Sequence, residues 1–242
     1  MPKTAGILLI GNEILSGKIA DANAAYLCRE LRGLGVEVRR ISVIPDEVDL
    51  IAREVAAQSR DYDVVFTSGG VGPTHDDVTI EGVARAMAVP VVRHPTLAGL
   101  LEEWYGDRLN DAHLKMAETP EGAELVGSEP VRFPTILVRN VYVLPGVPEI
   151  FRQKFEAIRE RFRDQPIHLK NVFVRIGEGT LADYLNKLLA DFPSLLLGSY
   201  PEFSNPEYKV KVTLESRDRA RLEDALAEFL RRLPAGALVK VA

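Results

Sequence analysis

The chain has a single cysteine in 242 residues, Cys28, so neither a disulfide framework nor a thiolate cage for structural zinc can be assembled from it. It has no block of lysines and arginines either. With 30 basic against 35 acidic residues the net charge is −5, which argues against a nucleic-acid groove or an anionic membrane surface as partner. No apolar run reaches the length that spans a bilayer. Met1-Pro2-Lys3-Thr4 leads into a short strand, not a signal peptide, so a cytoplasmic protein is expected. Internal repeats, low-complexity stretches, a Walker Gly-Lys-Ser/Thr and a Gly-x-x-Gly loop between helices are all missing, and the last of these excludes a KH-type RNA module. What remains is an ordinary globular composition, 46% hydrophobic and 27% charged, long enough for one large domain and one small.

The most informative segment that is present runs over residues 67–79, Thr-Ser-Gly-Gly-Val-Gly-Pro-Thr-His-Asp-Asp-Val-Thr. It follows the apolar run 64–66 and precedes the helix-like residues 80–87, so it reads as strand, glycine loop, helix N-terminus. Backbone amides crowded into such a loop, added to the positive end of a helix dipole, form an anion site, most often for phosphate. Two adjacent carboxylates, Asp76 and Asp77, would repel a phosphate unless a divalent cation lies between. The bland alternatives are turn glycines and a helix cap provided by Asp77 or Thr79. A Ser-Gly-Gly-x-Asp-Ser pyrophosphatase loop does not match, because Gly72 stands where its aspartate belongs.

Apolar runs and helical stripes alternate along the first part of the chain. Strands are expected at 5–10, 36–43 and 64–67. Helices are expected over 24–34, where Cys28 falls on the buried stripe, and after Pro45-Asp46. Such alternation indicates a parallel sheet covered on both faces. Further on, helices are expected at 97–105, 110–118 and 148–162, and a tight hairpin joins 135–138 to 141–144 through Arg139-Asn140. A boundary at 163–166 gives domains of 1–165 and 166–242. The second has the order βαββαβ, a small split-βαβ α+β domain.

Five motifs in order, Gly11-Asn12-Glu13-Ile14-Leu15-Ser16-Gly17, Asp21-Ala22-Asn23, Ile44-Pro45-Asp46-Glu47, the glycine loop 69–79, and 144–149, resemble the molybdopterin-binding-like domain. That domain is shared by CinA-type competence/damage-inducible proteins, the MogA and MoaB enzymes of molybdenum cofactor synthesis, and eukaryotic FAD synthetase. Val131-Arg132-Phe133-Pro134, residues 138–142, Leu197-Gly198-Ser199-Tyr200-Pro201 and residues 233–239 are similar to the FAD-synthetase domain in particular. Neither a synthetase module nor a nicotinamide-nucleotide deamidase module follows in this sequence.

The resemblance implies a three-layer α/β/α fold with a mostly parallel sheet and a site at the carboxyl ends of its central strands. It implies metal-dependent hydrolysis of FAD to FMN and AMP, or of ADP-ribose to AMP and ribose 5-phosphate, with Mg²⁺, Mn²⁺ or Co²⁺ and possibly K⁺. The alternatives are a molybdopterin adenylyltransferase and a non-catalytic pterin- or nucleotide-binding module. Asp46 and Asp77 match acidic positions on which MogA-type chemistry depends, and Asp76 and Glu13 are further candidate metal ligands with hard oxygens. Asp46 could instead cap its helix. Gly11, Asn12, Asn23, Ser68, Gly69, Gly70, Gly72, Pro73 and Thr74 are expected to bind substrate, together with Pro145, Gly146 and Pro148. Lys115 would neutralise phosphate charge or be a solvated helix lysine. Glu149 would contact ligand or favour its helix dipole, and His75 would be an acid/base group or a plain loop residue. The partners expected are a small nucleotide or pterin and further copies of the chain, as a dimer or trimer. The smaller domain is expected to support assembly or close the site, with its proline-bearing loop 200–206 placed to pack on a partner or a flat ring.

Overall fold

The computed structural model describes residues 2–127 and 132–242, and the chain divides into two compact units, Met1–Asp164 and Gln165–Ala242. Val131 of the segment Val131-Arg132-Phe133-Pro134 lies outside the described residues.

The first unit opens with β1 (Thr4–Ile10), a one-turn α1 (Asn12–Leu15), α2 (Asn23–Gly33), β2 (Glu37–Ile44), α3 (Val48–Asp61) and β3 (Val64–Ser68). It continues through α4 (Thr79–Met87), β4 (Val91–Arg93), α5 (Pro95–Tyr105), α6 (Asp111–Lys115), β5 (Glu118–Pro120) and β6 (Glu124–Val126). The hairpin β7 (Thr135–Val138) and β8 (Val141–Leu144) leads into α7 (Pro148–Ile158). Six strands form one sheet in the order β2-β1-β3-β8-β7-β6. The four from β2 to β8 are parallel, β7 runs against them beside β8, and β6 pairs antiparallel with β7. β4 and β5 pair separately.

The central strands read as unbroken apolar runs because both of their faces are covered. In β1, Ile7 and Leu9 face one layer, with Leu27 of α2 and Phe151 and Phe155 of α7. Leu8 and Ile10 face the other, with Ile51 of α3 and Val83 of α4. Parallel sheets require this double cover, and the fold is the three-layer α/β/α sandwich expected. Full burial of a ring such as Phe66 contributes roughly 1.5–3 kcal/mol.

Several local expectations are corrected. The helix over 110–118 stops at Lys115, because Ala117 O accepts from His94 N and Glu118 pairs with Arg93 in the β4–β5 ladder. The helix over 148–162 ends at Ile158 and finishes as a 3-10 turn, Arg159–Phe162. α3 begins at Val48, two residues beyond Asp46. The loop after β1 contains α1, and β6 was not foreseen. Cys28 packs against the core but is only half-buried, and burial pushes its thiol pKa up.

The second unit comprises β9 (His168–Val174), α8 (Glu178–Asp191), β10 (Leu196–Pro201), β11 (Val210–Ser216), α9 (Arg219–Arg232) and β12 (Leu238–Val241). This is the βαββαβ order, folded into an antiparallel sheet of order β10-β11-β9-β12. Both helices lie on one face, burying Val172, Val174, Val212 and Leu214 against Leu181 and Phe229. The opposite face carries Tyr200, Lys211, Phe173 and Lys240 in one row of the register. On it, each lysine Nζ sits 4.9 Å from an aromatic centroid, Lys211 over Tyr200 and Lys240 over Phe173. Among the described residues no helix is long and apolar enough to cross a membrane.

Candidate functional site

β1, β3 and β8 are parallel neighbours that end together at Ile10, Ser68 and Leu144, so the three loops that follow open from one edge of the sheet. β1 lies between β2 and β3, so the chain turns to one side of β1 and then crosses to the other. Ligands of open α/β sheets lie in the crevice that such a reversal creates.

Glycine is required where these loops meet. Gly69 has φ 106°, and a Cβ there would overlap the carbonyl oxygen of Ile10. Gly70 has φ 62°, a left-handed conformation that other residues adopt at a cost. A Cβ on Gly146 would be 3.4 Å from Gly69 Cα, so the second and third loops touch backbone to backbone. Asn23 stitches the edge together. Its Nδ2 donates to Ser68 Oγ (2.9 Å) and to Gly146 O (2.8 Å), while its buried Oδ1 accepts from no described group. Asn23 and Ser68 therefore act first as a clamp on the loops.

Thr79, at the start of α4, pins the glycine loop. Its N–H donates to Gly70 O at 3.0 Å and its hydroxyl to Gly69 O at 2.8 Å. Neither Asp77 nor Thr79 caps the helix; Val78 holds the cap position, with no side-chain cap. The Thr79 bonds occupy carbonyls of the loop, and the amides of Gly70, Val71 and Gly72 donate to no acceptor among the described residues. α7 likewise starts at Pro148 after Val147 with no side-chain cap. Two sets of unused backbone donors thus border one crevice, the arrangement that holds a phosphate.

The carboxylates gather on the same rim. Asp77 Oδ2 accepts from Thr74 N (2.8 Å) and lies 2.6 Å from Thr74 Oγ1, which is also 2.6 Å from Asp76 Oδ1. One hydroxyl carries one proton, so the two carboxylates share it and their negative charge is poorly compensated. The Thr74 hydroxyl holds Asp76 below the usual carboxylate range. Asp46 is not a helix cap. Its Oδ2 accepts from the Asn12 amide at 2.8 Å, and its Oδ1 would lie 3.5 Å from a Cβ on Gly70. Burial pushes its pKa up, and the charges of Glu13 and Asp76 push it further. Glu13 folds back over Gly11.

A cavity of about 520 Å³ lies along this rim, lined by Glu13, Asn23, Ser68, residues 69–72, Asp77 and residues 145–148. Its volume is in the range of nucleotide-sized ligand sites. A second depression of about 450 Å³ shares Gly70, Gly72 and Asp77 and adds His75, Lys115 and Glu118. Lys115 is not free in solvent, because its Nζ donates to the Thr74 carbonyl. His75 is almost fully exposed. Pro73 and Thr74 form the outer loop. Glu149 lines neither cavity and occupies the first turn of α7.

The donor set at the rim suits a particular kind of divalent cation site. Among the described residues, no group of three or more histidine, cysteine, aspartate or glutamate side chains is placed to hold a metal ion by itself. The donors are hard carboxylate oxygens, too few in any one place to enclose an ion, which suits one that keeps waters and shares its remaining ligands with substrate phosphates. Asp46, Asp76, Asp77 and Glu13 do not form one ligand group, and of them Asp77 and Glu13 border the cavity where such an ion would lie.

The residue missed by sequence reasoning is Lys154. It lies on the inward stripe of α7, three after Phe151 and four before Ile158, and its Nζ donates to the Phe133 and Pro134 carbonyls at 2.7 Å each. A lysine inside an apolar i, i+3, i+7 pattern was the available signal.

Comparison with known proteins agrees with the fold. Residues 6–164 match the family model described as "Probable molybdopterin binding domain", and residues 166–242 match "FAD synthase, middle domain". The chain belongs to the molybdopterin-binding-domain family. An archaeal relative from Archaeoglobus fulgidus, named only "Protein", is 39% identical over 92% of this chain and 95% of its own. A "Probable FAD synthase" of Caenorhabditis elegans is 35% identical over 98% of this chain. This molybdopterin-binding-domain chain spans 51% of that relative's length. Among solved structures, the protein CinA from Thermoplasma acidophilum, described as of unknown function, is 30% identical with a TM-score of 0.62, covering 67% of this chain and all of that one.

Proposed function

We propose that the cleft hydrolyses a nucleotide diphosphate, FAD or ADP-ribose, with the help of a divalent cation. One observation carries this reading: unused amides at residues 70–72 border the same cavity as the carboxylates of Asp77 and Glu13, with Asp76 joined to Asp77 through the Thr74 hydroxyl and Asp46 held on the Asn12 amide beside Gly70. The amides suit the phosphate oxygens, and the carboxylates suit a cation that offsets the charge of the second phosphate. When bound, such a cation polarises a phosphoryl oxygen and lowers the pKa of a bound water. The chain's own part is to place the groups. Asn12 fixes Asp46, Thr74 fixes Asp77 beside the glycine loop, and Asn23 holds the loops in register. Water adds to one phosphorus, the bridging P–O bond breaks, and two monophosphates leave, one of them AMP. Support comes from the FAD-synthase relatives, of whose length this chain spans about half.

A second reading is adenylyl transfer to molybdopterin, favoured by the family match over residues 6–164. The two separate in one assay. Incubation with FAD or ADP-ribose and Mg²⁺, Mn²⁺ or Co²⁺, with and without K⁺, is expected to release AMP on chromatography. No AMP in any combination would rule out the hydrolase.

The second unit is proposed to carry assembly. Phe203 is 97% exposed, and Leu169, Leu196 and Tyr200 stand on the open face of its sheet. Removing residues 166–242 is expected to lower the number of chains per particle, taken from the mass in light scattering divided by the chain mass. A truncated protein with the wild-type number of chains and wild-type kinetics would refute this.

A further inference from the structure

The amine of Lys154 is drawn away from water. An ammonium has three protons to donate, and only two are used, on the carbonyl oxygens of Phe133 and Pro134. Among the described residues no carboxylate pairs with it. Desolvation alone pushes its pKa down to about 8. Two carbonyl dipoles offset part of the cost of withdrawing an ammonium from water, but no counter-charge is provided.

This amine borders a separate cavity of about 220 Å³, walled by Leu97, Leu101, Tyr105, Met116 and Phe133. Tyr105 is held flat by stacking on His113, with centroids 3.7 Å apart and planes 11° from parallel. Val71, Pro145 and Ile150 line both this cavity and the anion cleft, so the two adjoin across one wall. The occupant that fits is largely apolar and carries a hydrogen-bond acceptor on one edge.

We infer that this cavity holds the ring system of the ligand whose phosphate occupies the anion cleft, with Lys154 donating to a carbonyl oxygen of that ring. The ring class is a fused heteroaromatic with a carbonyl edge, shared by flavins and pterins. Adenine is disfavoured, because the acceptors on its outer edge, N1 and N7, flank an exocyclic amine that is itself a donor and would oppose the ammonium. This rests on the reading of the cleft as a phosphate site. Lys154 is a specificity-determining residue, placed away from the reacting phosphates.

The test uses the full chain with riboflavin, a pterin, adenosine and AMP as separate probes. Fluorescence quenching reads the first two, and calorimetry reads all four. Wild type is expected to bind riboflavin or the pterin more tightly than adenosine, and the ring that binds identifies the source. Lys154→Met is expected to weaken ring binding by about tenfold or more, since a charged hydrogen bond is lost, and to leave the AMP Kd unchanged. Lys154→Arg should recover part of the loss. A wild type that binds neither ring, or binds adenosine as well as either, overturns the inference whether or not the variants fold. So does a Lys154→Met protein that weakens AMP and ring binding alike, as a merely structural lysine would. Riboflavin and adenosine have no diphosphate, so a protein that fails to hydrolyse any substrate leaves this measurement intact.

Discussion

Asp77→Asn is expected to lower the rate of AMP release on the order of 100-fold or more, the scale of losing a group that positions water or proton in phosphoryl chemistry. The amide keeps an oxygen to accept from Thr74 N, so the loop geometry and AMP affinity should survive. A cap role would predict the reverse, little loss of rate, but Asp77 caps nothing. Asp46→Asn should share the loss of rate and differ in stability. Folding raises the Asp46 pKa, so in the window between the unfolded and folded values the folded state binds more protons than the unfolded. Stability from this group is therefore lost as pH rises through that window and stays lost at neutral pH. The substitution would remove the unfavourable charge, and the new side-chain oxygen would still accept from the Asn12 amide. The variant should melt at or above the wild-type temperature at pH 7, with the gap closing in acid. A lower melting temperature together with full activity would defeat the assignment of Asp46.

Gly69→Ala is expected to be the most destabilising single-methyl change at the site. A residue with a Cβ at φ 106° is strained by about 1–2 kcal/mol, and overlap with the Ile10 carbonyl adds roughly 1–3 kcal/mol. Gly146→Ala meets Gly69 Cα at an ordinary contact distance of 3.4 Å and should cost less than about 1 kcal/mol. Urea denaturation of both variants gives the comparison directly. Equal midpoints would mean that the loop relaxes around the new methyl.

What could be read in the sequence follows from how strongly each feature is determined locally. β1 and β3 are buried on both faces, so their apolar runs and the glycine loop after them were visible without coordinates. β6 was not, because Glu124–Val126 is three residues long and exists only by pairing with β7. The helix at 110–118 was overextended for the same reason, since the competing partner of Glu118 is Arg93, distant in sequence. At the site, residue types and their order marked Asp46, Asp76 and Asp77. Nothing local could place the Asp46 carboxylate on the Asn12 amide, 34 positions away. Lys154 was hidden because a lone lysine in a helix is normally solvated, and only the packing of α7 turns it inward.

The pairing of β3 with β8 has a kinetic corollary. Val65 aligns with Val141, so the strand that completes the crevice joins β3 only after the whole excursion from α4 through β7 has been made. Closing so long a loop is entropically slow, whereas β1, β2 and β3 pair over shorter separations. The amide cradle on β3 would thus exist as a bare ledge early in folding and become a cleft late, when Leu144 receives the Gly69 N–H. Ligand bound across that junction would slow unfolding more than it speeds folding, since its contacts span the two halves that join last.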